Sequence, residues 1–139
     1  MSELTFSKVL TANDVGETSA HQAGIHIPKS MPELLSFLPE LGEKALNPSV
    51  WVMCRDEYDE VWKFRYVFYN NKLHSPSGTR NEYRLTHMTK FLKRNSSLAG
   101  DSFVMTKNES NDEYRIRVVP QILNPLKKAI KLAGWNRVY

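Results

Sequence analysis

Apolar and polar residues alternate along Leu4-Thr5-Phe6-Ser7-Lys8-Val9-Leu10 and again along Val61-Trp62-Lys63-Phe64-Arg65-Tyr66-Val67-Phe68-Tyr69. A period of two places every second side chain on one face, so each stretch predicts a half-buried strand. Ser49–Arg55 is more uniformly apolar and predicts a more fully buried strand. Shorter β-branched or aromatic runs over 24–27, 82–87, 102–106 and 113–119 bring the strands to seven, separated by Gly, Pro, Asn and Asp clusters. Helices are fewer. Ser30 is placed to cap a helix starting near Met31-Pro32-Glu33, with Leu34, Leu35, Leu38 and Leu41 as its apolar stripe. A second is predicted from Thr86 to about Lys93. A third starts after Leu123-Asn124 and ends at Gly134. Many strands with two or three flanking short helices predict a mainly β fold, a closed or nearly closed barrel or a sandwich.

The chain has 139 residues, enough for one domain with its own core, and a single domain over 1–139 is expected. Its one cysteine, Cys54, excludes an internal disulfide and a Cys-rich zinc site, and within Val50-Trp51-Val52-Met53 it reads as a small core residue. That suits a reducing cytoplasm. The N-terminus shows no basic and apolar leader, and no apolar stretch approaches a membrane span.

The net charge is +4, but its distribution says more than the total. Between 63 and 94 lie eight basic residues and one acid, Glu82, a local balance of 8 − 1 = +7. Just before this segment comes the acidic cluster Asp56, Glu57, Asp59, Glu60. Gathered on one face, the basic residues would form a footprint for phosphates; spread out, they are an ordinary solvated surface.

The common catalytic signatures are missing. The metal-dependent nucleases of the commonest restriction fold need an acid two residues before a lysine, and none of the eleven lysines has one. There is no HExxH, GxSxG, P-loop or GxGxxG, and the four histidines form no zinc spacing. No cofactor is expected. The acidic cluster reads as a solvated turn joining two strands rather than a carboxylate pair for hydrolysis.

The polar insertion 70–84 ends in Thr79-Arg80-Asn81-Glu82-Tyr83-Arg84. On extended backbone Arg80, Glu82 and Arg84 project from one face. Arginine can donate two hydrogen bonds to guanine, glutamate can accept from the cytosine amine, and asparagine can bond adenine. The same comb could instead be a salt network on an exposed strand, which spacing alone slightly favours. The acid inside a basic segment points the other way, because a pure phosphate binder gains nothing from it. A second polar excursion, 11–29, offers Thr18, Ser19, His21 and Gln22 as short donors and acceptors, with Asp14 as a cap.

In order along the chain, Leu10-Thr11-Ala12-Asn13-Asp14-Val15-Gly16, His21-Gln22-Ala23-Gly24-Ile25-His26-Ile27-Pro28, Leu46-Asn47-Pro48-Ser49-Val50, Tyr69-Asn70 and Thr79-Arg80-Asn81-Glu82-x-Arg84 resemble the N-terminal effector-binding domain of EcoRII-type restriction endonucleases. Gly100-Asp101-Ser102-Phe103-Val104 and Tyr114-Arg115-Ile116-Arg117-Val118 are similar to the final hairpin of plant pseudobarrel transcription-factor domains. The resemblance implies a seven-stranded open pseudobarrel and a bacterial cytoplasmic setting. Two arms would grip the major groove of CC(A/T)GG duplex DNA, an N-arm over 18–29 and a C-arm over 72–84. It implies base reading by Arg80, Glu82 and Arg84, with His21 and His26 at DNA-contact positions; Asn81 and Tyr83, which lie between the three, are expected to read bases with them. Backbone contacts would come from Thr18, Ser19, Gln22, Lys29, Lys72, Thr79 and Lys90. Gly78 and Tyr83 stand where the family has lysine, and His26 where it has tyrosine. The family enzymes carry a separate C-terminal nuclease domain, so this chain is expected to bind without cutting, as an excised domain or a free-standing relative. A transcription regulator of the same fold is the alternative.

Overall fold

The computed structural model describes residues 3–16, 24–42, 44–121 and 134–139. Strands β1 (Glu3–Val9), β2 (Ile25–Ile27), β3 (Ser49–Arg55), β4 (Val61–Tyr69), β5 (Glu82–Thr86), β6 (Ser102–Asn108), β7 (Tyr114–Val119) and β8 (Trp135–Val138) form one sheet in the order β2-β5-β4-β3-β7-β6-β1-β8. Seven of these are the strands that the sequence predicts. The eighth, β8, is additional and pairs with β1 through Thr5↔Val138 to Lys8↔Trp135. Every pairing is antiparallel except the short parallel β3–β7 contact, Cys54↔Tyr114 and Arg55↔Arg115.

The sheet curls until its edges nearly meet. The Trp135 indole N–H on edge strand β8 donates to the carbonyl of His26 on edge strand β2 at 2.9 Å. This bond crosses the seam of the barrel and anchors the strand that carries His26. Inside, Phe6, Phe64, Phe91 and Phe103 are fully buried. Phe64, Phe91 and Phe103 meet pairwise edge-on with centroids 5.7–6.2 Å apart. Burying each ring contributes about 2–3 kcal/mol, so the core rather than the connections holds the barrel. Cys54 is part of it, and burial pushes its thiol pKa up.

Three short helices flank the barrel among the described residues: α1 (Pro32–Phe37), α2 (Asn71–His74) and α3 (Thr89–Arg94). Helix α1 begins with Pro in its first turn as expected, but the capping position is Met31 and no side chain caps it, so Ser30 is not the cap. It docks through Leu34 and Phe37, and Phe37 packs against Phe6 and Tyr114. Helix α3 starts three residues later than predicted. Thr86 remains in β5, its hydroxyl donating to the Arg65 carbonyl, and His87 then breaks the strand with a left-handed φ of 65°. The third predicted helix lies outside the described residues, apart from Gly134.

The acidic cluster is the β3–β4 turn. Asp56 departs from the expectation of a solvated group: it is 2% exposed and organises the turn. Its Oδ1 accepts from the N–H groups of Tyr58 and Glu60, and its Oδ2 from the Trp62 indole. Burial works to raise its pKa, but these hydrogen bonds outweigh it and hold the carboxyl below the ordinary value. Among the described residues no group of three or more His, Cys, Asp or Glu could hold a metal, and no helix is long and apolar enough to cross a membrane.

Candidate nucleic-acid interface

The end of β4 is fixed before the polar insertion begins. Asn70 is fully buried. Its Oδ1 accepts from the Asn47 N–H at 2.8 Å, its own N–H donates to Asn47 Oδ1 at 3.1 Å, and its Nδ2 donates to the Ala45 carbonyl at 2.8 Å. This reciprocal clasp clamps the loop before β3 to the root of the 70–84 excursion and gives Asn47-Pro48 and Tyr69-Asn70 a physical role. Beyond it, α2 turns once. Asn71 Oδ1 accepts from the Arg80 N–H at 2.7 Å, and the Lys72 N–H donates to the Arg80 carbonyl at 3.0 Å, so the excursion closes on itself. Gly78 lies so close that an added Cβ would stand 2.1 Å from the Asn71 carbonyl oxygen. In this arrangement a lysine at 78 has no room.

Pairing sets the faces of β5. Arg84 lies opposite His26 on β2 and Val67 on β4; Glu82 lies opposite Tyr69. These side chains share the outer face. Arg80 Nε and Nη2 donate to Glu82 Oε1 at 3.2 and 2.7 Å, and Arg84 Nε donates to the same oxygen at 3.2 Å. The Arg80 guanidinium carbon sits 3.8 Å from the Tyr69 ring centroid. Arg84 also donates from Nη1 to the Gly24 carbonyl at 3.2 Å, tying the start of β2 to β5. Gly24 has φ +77° and its Cα packs on the Leu85 carbonyl, where a Cβ would come within 2.1 Å, so glycine is required.

Exposure grades along the comb. The side chain of Arg80 is 38% exposed, that of Glu82 27% and that of Arg84 only 6%. Arg80 and Glu82 therefore present the accessible edge, and Arg84 backs them. Burial works to raise the Glu82 pKa, but the hydrogen bonds from Arg80 and Arg84 and their charges outweigh it and hold the carboxyl ionised below its ordinary range. Partial burial lowers the His26 pKa, with the Arg84 charge acting in the same direction, so the imidazole is neutral at pH 7.

The structure brings His26, Arg80, Glu82 and Arg84 together on one face. It turns Tyr83 to the other: Tyr83 stacks on Phe68 at 4.2 Å and 6°, and lies 5.8 Å from Tyr66, against the core. Asn81 Oδ1 is buried without a hydrogen-bond partner. Lys29 is exposed, its Nζ 6.0 Å from the Phe68 ring centroid. Lys72 on α2, Thr79, and Lys90 on α3 are exposed. Thr18, Ser19, His21 and Gln22 lie outside the described residues. Before them, the cap is Thr11 rather than Asp14: Thr11 Oγ1 accepts from the Asp14 N–H, while Asp14 Oδ2 accepts in return from the Thr11 N–H and pairs with the buried Lys8 at 2.7 Å. Tyr69, Asn47 and Asn70 stand in the matched motifs, but the sequence assigns none of them a place at the site.

The family model described as "Restriction endonuclease EcoRII, N-terminal" matches residues 1–121. The chain belongs to this family. It is 37% identical over 84 residues to the type II restriction enzyme EcoRII of Escherichia coli, covering 58% of this chain and 20% of that protein. Auxin response factor 10 of Arabidopsis thaliana is 29% identical over 109 residues, 78% of this chain and 14% of that protein. The chain thus spans a fifth or less of these two relatives. A solved Arabidopsis FUS3–DNA complex superposes with a TM-score of 0.62 at 19% identity, over 84% of this chain and 97% of that one, which establishes the shared pseudobarrel fold.

Proposed function

We propose that this domain binds double-stranded DNA sequence-specifically, reading CC(A/T)GG in the major groove, and does not cut DNA itself. The observation that carries the reading is the Arg80–Glu82 pair. In a member of the EcoRII N-terminal family, a guanine-type donor and a cytosine-type acceptor are held side by side at the accessible edge of a clamped hairpin. Arg80 and Glu82 read a G·C end of the site, with Asn81, Arg84, His26 and His21 at neighbouring base edges. Thr18, Ser19, Gln22, Lys29, Lys72, Thr79 and Lys90 contact the sugar–phosphate backbone, which positions the domain without specifying sequence. Tyr83 drops out as a reader because its ring belongs to the aromatic core stack. The working place is the cytoplasm of a bacterium, and the partner beyond DNA is a nuclease domain on the same polypeptide.

Binding of the isolated chain to CC(A/T)GG and scrambled duplexes, measured by anisotropy across a salt series, tests this. A preference of about 10³-fold or more and a steep salt slope are expected for specific recognition. Equal affinities would overturn it, and site-specific cleavage in Mg²⁺ would overturn the non-catalytic assignment. The auxin response factor relatives, matched over 78% of the chain, favour one second reading, a transcription regulator with another site. Selection from random duplexes separates the two by the sequence recovered.

A further inference from the structure

We propose that Tyr69 is a positioning residue for base reading: its ring and the Glu82 carboxylate together hold the Arg80 guanidinium in one orientation before DNA arrives. This rests on the reading of Arg80 as a base contact given above.

The Arg80 guanidinium lies 3.8 Å from the Tyr69 ring centroid, a cation–π contact. Its Nε and one Nη2 hydrogen point at Glu82 Oε1. The side edge of the fork is thereby used up. Among the described residues the end edge, the Nη1 group and the outer Nη2 hydrogen, remains as two parallel donors, the pattern that matches guanine O6 and N7. The root of the residue is fixed too, since its N–H donates to Asn71 Oδ1 and its carbonyl accepts from the Lys72 N–H. A free arginine samples many rotamers and loses them on binding; one clamped at root, edge and face loses few. Tyr69 can act this way because it sits directly opposite Glu82 in the β4–β5 register, on the same outer face. One carboxylate alone would let the guanidinium swing about the Oε1 contact.

The test uses the full chain as wild type, Tyr69→Phe and Tyr69→Leu. Two readouts are taken: the Arg80 Nε–H signal by NMR without DNA, and the ratio of Kd values for CC(A/T)GG against duplexes with one G·C pair replaced. A guanidinium stacked on the ring has a ring-current-shifted Nε–H. Wild type and Tyr69→Phe should show that shift and Tyr69→Leu should not. Discrimination should persist in Tyr69→Phe and fall about three- to thirtyfold in Tyr69→Leu, the range of a partly exposed cation–π contact, with binding to scrambled duplex little changed. An unshifted Arg80 Nε–H in the wild type overturns the proposal whether or not Tyr69→Leu folds. Undiminished discrimination in Tyr69→Leu overturns it, as does equal loss in Tyr69→Phe, which would assign the effect to the hydroxyl. A wild type that discriminates among no duplexes overturns the DNA reading itself, a result distinct from these.

Discussion

Replacing Glu82 with Gln removes the one negative charge that serves two arginines. The contact with Arg80 is half-open to solvent, and such pairs contribute at most about 1 kcal/mol. Arg84 is different, because its side chain is only 6% exposed and the carboxylate it donates to loses its charge in the variant. Stripping the partner from a fully buried ion pair costs about 3–5 kcal/mol; the glutamine amide can still accept, and Glu82 is partly exposed, so about 1–3 kcal/mol is expected here. For a chain of 139 residues that lowers Tm by roughly 4–12 °C at pH 7. The pH dependence identifies the cause. The folded-state pKa of Glu82 lies below its ordinary 4.5, so its stabilisation is fully present above about 4.5 and is lost as pH falls through the folded value. Gln does not titrate. The gap between the two proteins should widen slightly as His26 protonates, because the Glu82 charge favours the imidazolium, and narrow below 4.5, while losses from Asp56 and Glu113 occur in both and cancel. Thermal melts followed by circular dichroism from pH 3 to 8 measure it. A gap that is absent at pH 7, or as large at pH 3, would refute the reasoning.

Asn70→Ala removes the side-chain bonds of a fully buried residue and leaves the half-buried Asn47 N–H and the exposed Ala45 carbonyl to water, and a loss of about 1–2 kcal/mol is expected in urea unfolding, with weaker DNA binding because the hairpin root loosens. A loss below 0.5 kcal/mol, about the scatter of an ordinary surface change, would show that the clasp is incidental. Lys72→Ala should weaken binding to every duplex by a similar factor and reduce the slope of log K against log salt by about one; a sequence-dependent effect would make Lys72 a reader instead. His26 should titrate below 6.5 by NMR. Because the folded pKa is lowered, the unfolded chain takes up the proton first, so this group's contribution is complete above 6.5 and is lost as pH falls towards the folded value. His26→Asn should remove that slope, and a midpoint above 6.5 contradicts the burial argument.

Seven strands were legible because each is built on alternation or on β-branched and aromatic residues, and that pattern is itself the cause of the strand. Strand β8 was not, since Trp135–Val138 offers only two apolar residues and is held at the edge by β1 and by the Trp135 indole. Helix α2 buries none of its residues, so it leaves no stripe to read. The comb's spacing on one face was legible. The burial of Arg84 was not, because alternation tells which side a residue faces and nothing of what covers that side. Tyr83 was misplaced although the same alternation, applied strictly, puts it opposite Glu82 and Arg84: the motif outweighed the period.

The presence of Glu82 needs rethinking in this light. An acid among so many bases suggested a cytosine reader because a phosphate binder has no use for it. The structure supplies a second sufficient reason: two arginines converge on Glu82 Oε1 and would otherwise repel each other beside a buried strand. The two reasons are compatible, since the two oxygens of a carboxylate offer about four acceptor positions, enough for two arginines and a base amine together. They part under substitution. If Glu82 only spaces the arginines, Glu82→Gln lowers affinity for every duplex in proportion to the disorder of Arg80. If it also reads cytosine, the loss concentrates at one C·G pair, because the amide can turn its donor towards the cytosine amine and repel it. A duplex series with each base pair changed in turn, measured on the wild type and this variant, separates the scaffold from the reader.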